Sequence, residues 1–71
     1  MRNLDAIKVG QKAEIRDFLD QDIKCYSARF GIEAGQIITC IAKPGPVVIQ
    51  KNQQEIAIGK DLSKQICIKV L

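Results

Sequence analysis

The chain has 71 residues, 46% of them hydrophobic, a net charge of +3 and no His, which bounds it to one small domain over residues 1–71. At about 0.05–0.15 kcal/mol per residue such a domain holds only ~4–10 kcal/mol of stability, a thin margin for a strained catalytic site. No apolar run approaches the roughly 20 residues of a membrane span, and the first ten residues carry no apolar signal segment. The missing His removes the commonest general base and transition-metal ligand.

The apolar side chains are mainly Ile, Val and Leu, with Phe18, Tyr26 and Phe30 as the only aromatics. β-branched residues suit a pleated, half-buried surface, so the composition leans to strands. Leu4, Ile7 and Val9 make an apolar opening turn closed by Gly10. From Lys12 to Phe18 the pattern alternates, with Ala13 and Ile15 on one side, and predicts a half-buried strand. Asp17, Asp20 and Asp22 interrupt it, and Asp20 or Asp22 is placed to accept from the free N–H groups of a following helix. Ile23, Tyr26 and Phe30 then recur at helical spacing, so one short amphipathic helix is expected, with Phe30 packed into the core. Gly31 sits where helices stop on a left-handed residue, and Ile32 beyond it is expected to fold back on the last turn.

Glu33, Ala34 and Gly35 read as a tight turn into a strand over residues 36–42. Ile38, Cys40 and Ala42 share one face of it, and Ile37, Thr39 and Ile41 the other. Lys43-Pro44-Gly45-Pro46 is a strong turn signal. Residues 47–51 and 54–58 flank Asn52-Gln53 as a two-residue hairpin. Residues 59–64 form a short turn with 3₁₀ character, and Ile66, Ile68 and Val70 alternate in a last strand. Five short strands with one helix between the first two predict a small barrel.

No P-loop or Gly-rich phosphate cradle is present, and no carboxylate spacing marks an acid/base pair, so the chain is expected not to be an enzyme. Cys25, Cys40 and Cys67 are odd in number and widely spaced, against a disulfide framework. Cys40 lies on an apolar face as a small hydrophobe, Cys67 alternates to the outer side, and Cys25 flanks the helix stripe. No Cys-x-x-Cys is present, so no cofactor is required; the open alternative is weak binding of ferrous iron or another transition metal at Cys25 or Cys67. For Asp17, Asp20 and Asp22, helix capping is favoured over a cation site.

The charge excess lies in residues 36–71, where Lys43, Lys51, Lys60, Lys64 and Lys69 face only Glu55 and Asp61. That half has no aromatic residue on which bases could stack, so nucleic acid is not expected as a partner. Ile37 and Ile41 face away from the core side of their strand, which leaves either cover by the helix or an exposed interface patch.

The order of these elements resembles the FeoA family over nearly the whole chain. The resemblance rests on Leu4-x-x-Ile7-x-Val9-Gly10-Gln11-x-Ala13-x-Ile15, on Phe30-Gly31-Ile32-Glu33-Ala34-Gly35 followed by Ile38-x-Cys40, and on Pro46-Val47-x-Ile49, Ile56-Ala57-Ile58 and Ile66-x-Ile68. Where that family usually has Pro, Arg-Leu and Arg, this chain has Ala34, Tyr26-Ser27 and Gly59; the second departure removes a core Leu from the helix. The resemblance implies a mainly β, five-stranded SH3-like barrel with a helical insertion. It also implies an accessory role in bacterial ferrous iron uptake, at the cytosolic face of the membrane transporter FeoB. The expected location is the cytoplasm, at the membrane only through the partner, with weak homo-oligomer formation as a further expectation. Similar domains end iron-dependent repressors; Met1 and the lack of a DNA-binding helix pair favour the free-standing form. The alternatives are a repressor-type regulatory barrel or a small nucleic-acid-binding barrel. Tyr26, Arg29, Ile37 and Ile41 are the expected partner-binding residues, with Tyr26 as an amphipathic anchor and Arg29 as a directional hydrogen-bonding fork.

Overall fold

The computed structural model describes residues 2–71. A two-residue strand β1 (Arg2–Asn3) leads into a 3₁₀ turn (Leu4–Ala6), then β2 (Lys12–Phe18), α1 (Gln21–Ala28), β3 (Ile37–Ala42), β4 (Val47–Lys51), β5 (Gln54–Ile58), α2 (Lys60–Ser63) and β6 (Ile66–Val70). All five expected strands are present, and β1 is a sixth too short to show any periodicity. The segment after Gly59 closes as one α-helical turn rather than a 3₁₀ turn.

The strands form one sheet in the order β1-β6-β2-β3-β4-β5, and every neighbouring pair is antiparallel. Two register shifts bend it, one between Ile15 and Asp17 of β2 and one between Cys40 and Ala42 of β3. Such bulges increase local twist and let a short sheet curl over its own core. The barrel is mainly β and SH3-like, but the sheet order leaves it open, with β5 as a terminal strand.

The core is nearly all aliphatic. Leu4, Ile7, Ile15, Ile38, Ile49, Ile66 and Ile68 are fully or almost fully buried, and Cys40 packs among them as the small hydrophobe expected. Each buried Ile contributes about 1.5–3 kcal/mol relative to exposure. The period-two pattern in β2, β3, β4 and β6 places their buried residues on one face, and a one-residue slip of a strand would turn its set to solvent.

Asp20 caps α1, its side chain accepting from the Ile23 N–H at 2.9 Å. The exit of α1 is a Schellman motif, with Ile32 N–H donating to the Ser27 carbonyl at 3.1 Å and Gly31 N–H to the Ala28 carbonyl at 3.0 Å. Gly31 has φ +79°, the left-handed value that this motif requires. Ile32 is carried back into the core, as expected.

Candidate functional site

The helix differs from its apolar pattern in one respect. Phe30 is not a core residue: it is 47% exposed, and Tyr26 is 48% exposed. The buried helical position is Ser27, whose hydroxyl has no hydrogen-bond partner. The reason is geometric. The Schellman turn redirects the chain one residue after Phe30, so Ile32 fills the space that Phe30 was expected to occupy.

Tyr26 and Phe30 instead pack against each other edge-to-face, with ring centroids 5.1 Å apart and planes at 67°. Such a pair stabilises by about 0.5–1.5 kcal/mol beyond its buried area. Together they form one wall of a cleft of about 240 Å³. Ile32 lies at its base, Ile56 and Ile58 of β5 form the opposite wall, and Leu62 of α2 closes one end. Past Phe30 the depression continues over Arg29, Gly31, Gln54 and Glu55. The cleft is therefore the seam of the open barrel, running between the exit of α1 and the terminal strand.

Of the expected partner-binding residues, Tyr26 lines this cleft and Arg29 its extension. Ile37 and Ile41 line neither part. Ile37 is 49% exposed on β3 opposite Glu14, so α1 does not cover it. Ile41 is half-buried because it is the extra residue of the β3 bulge, between the Cys40–Ile49 and Ala42–Val48 pairs. Among the cleft residues that sequence reasoning missed are Ile56 and Leu62. Their side chains looked like ordinary strand and turn residues, and only the tertiary fold brings them to one cleft with the exit of α1.

The cysteines occupy separate elements. Cys25 is exposed on α1, with Gln21 Nε2 3.6 Å from its sulfur, while Cys67 is half-buried on β6 in register with Asn3 and Asp17. Among the described residues, no group of three or more His, Cys, Asp or Glu side chains is placed to hold a metal. Asp17 accepts from its neighbour Phe18 N–H at 2.8 Å, and Asp20 is taken up by the helix cap. No helix among the described residues is long and apolar enough to cross a membrane. The Glu14–Arg16 contact at 3.5 Å is the one ion pair among the described residues, so most charges face solvent unpaired.

A family model described as the FeoA domain matches residues 2–70. No curated protein matches the chain. A crystal structure named iron uptake regulatory protein (FeoA) is similar, with a TM-score of 0.89 and 22% identity over 99% of this chain and 96% of that one. An NMR structure of a FeoA-like protein from Clostridium acetobutylicum aligns with a TM-score of 0.87 and 18% identity, over 99% of this chain and 86% of that one. The manganese regulator SloR carries the same fold, with a TM-score of 0.84 and 14% identity over 99% of this chain but 34% of that one. The chain thus spans nearly all of the first structure and about a third of the regulator.

Proposed function

The chain belongs to the FeoA domain family, and on that premise we propose that it is a non-enzymatic accessory protein of bacterial ferrous iron uptake. It acts by protein–protein contact with a FeoB-like membrane transporter at the transporter's cytosolic face. The observation that carries this reading is the apolar seam, where two aromatic side chains stand about half exposed beside a terminal strand. A contiguous exposed apolar patch of this kind, rimmed by polar residues, is the type of surface on which a partner packs. Iron in this reading is the transporter's cargo, and no resident metal is required. The similarity to a structure named iron uptake regulatory protein supports the same assignment at the level of fold.

The test is co-purification with a FeoB-like transporter from detergent extract, together with ferrous iron uptake in cells lacking the chain. Capture of the transporter and reduced uptake, restored by the wild-type chain, are expected. Unchanged uptake with no capture overturns the reading.

A further inference from the structure

The outer edge of β5 is unused. β5 ends the strand order, and among the described residues its backbone makes no hydrogen bond outside its pairing with β4. The two-residue turn makes Lys51–Gln54 a hydrogen-bonded pair, so Ile49–Ile56 and Val47–Ile58 are bonded pairs too. The N–H and C=O groups of Glu55 and Ala57 therefore point away from β4. β5 carries no Lys, Pro or bulge along its edge, and its one charged residue is Glu55. It borders the Tyr26–Phe30 cleft along its length.

Charge identifies what fits there. Leu62 of α2 closes the apolar cleft, while Lys60 of that helix and Lys64 just past its end line a second cleft with Lys43, against the single carboxylate of Asp5. At the other end stand Arg29 and Lys51, against Glu55. Both ends of the β5 edge are thus flanked by more cations than anions. A second copy of this chain, laid antiparallel on β5, would bring cations to cations and is disfavoured.

We propose that the β5 edge takes an extended segment of a partner protein as an added strand. This segment places alternate apolar side chains in the Tyr26–Phe30 cleft and carboxylates against the flanking lysines. This deepens, and rests on, the reading of the chain as a partner-binding accessory protein. Main-chain hydrogen bonds to Glu55 and Ala57 supply affinity, and the cleft and the lysines supply selectivity.

The probe is a nine-residue peptide of alternating Val and Thr with two Asp at each end, titrated into the full ¹⁵N-labelled chain. Amide shifts confined to residues 54–58 and the α1 exit, with slowed hydrogen exchange at Glu55 and Ala57, are expected. Ala57→Pro removes one outward N–H without touching the β4 ladder. It should weaken binding by up to about tenfold, the scale of one hydrogen bond. Lys60→Glu with Lys64→Glu should weaken it further and reduce its salt dependence, leaving the part due to Arg29 and Lys51. An unchanged affinity in Ala57→Pro, or shifts scattered over the lysines, overturns strand addition. Concentration-dependent shifts at 54–58 without peptide also overturn it, because the occupant is then a second copy. If the transporter co-purifies equally with wild type and Ala57→Pro, the accessory role stands and only strand addition falls. If peptide binds as expected but no transporter is captured, the reverse holds.

Discussion

The ammonium of Lys51 donates to the carbonyl oxygen of Gly31 at 2.6 Å, across 20 residues of chain. This one contact ties the exit of α1 to the β4–β5 hairpin and so fixes the width of the apolar seam. A charge-assisted bond to a carbonyl is worth about 1.5–3 kcal/mol when shielded, and less for a half-exposed group. Lys51→Met keeps the packing of the stem and removes only the donor. A fall in Tm of about 4–8 °C is expected by calorimetry, corresponding to roughly 1 kcal/mol in a domain this size. An unchanged Tm would mean the contact does not persist in solution.

Gly31→Ala should be worse. Its φ of +79° is costly for any residue with a Cβ, and that Cβ would lie 2.8 Å from the Lys51 nitrogen. Left-handed strain alone costs about 1–2 kcal/mol, so chemical denaturation should show a loss of at least that size with an unchanged slope. The expected loss exceeds that of Lys51→Met.

Ser27→Ala should stabilise the chain. The serine hydroxyl is buried without a partner, and leaving such a group unsatisfied costs about 1–3 kcal/mol. Alanine removes the hydroxyl and is also the better helix former. A Tm several degrees above wild type is the expected result; a lower Tm would show that the hydroxyl finds a partner.

Ile37 and Ile38 are sequence neighbours on opposite faces of β3. Ile37 is 49% exposed and Ile38 1% exposed. Ile37→Glu should keep the folded circular dichroism spectrum, at a cost of about 0.2–1 kcal/mol from the like charge of Glu14 directly opposite. Ile38→Glu buries a charge in an aliphatic core and should leave the chain unfolded. Equal tolerance of both would place β3 in the wrong register.

The three thiols should react with a disulfide reagent in the order Cys25, Cys67, Cys40, following exposure. Cys40 is expected to react only when the chain unfolds, at a rate that rises with denaturant. Cys25→Ser with Cys67→Ser is expected to leave ferrous iron titration unchanged, since the two stand on separate elements without a third ligand. Loss of a titration step would restore the cysteine reading.

The strands were legible because their physics is local. Alternation in β2, β3 and β6 and the Asn52-Gln53 turn each carry their own geometry within a few residues, and so does the Gly31 helix stop. Phe30 was misplaced because helical spacing counts apolar side chains and takes no account of where the chain turns. With Ser27 at the buried position, the apolar stripe pointed to the wrong face of α1. The seam itself was illegible: Tyr26 of α1 and Ile56 of β5 lie 30 residues apart in sequence and line one cleft only in the folded chain. β1 left no trace because two residues cannot display a period.

The pairing of Arg2 with Ile68 sets the beginning of the chain beside its end. Both leave the body on β1 and β6, at the opposite end of the strand order from β5. A domain with neighbouring ends can be spliced into a longer polypeptide or recircularised with little distortion. That portability accords with the same fold accounting for about a third of the larger manganese regulator SloR. A short linker joining the two ends, with new ends opened at the Lys43–Pro46 turn, should give a permuted protein that folds.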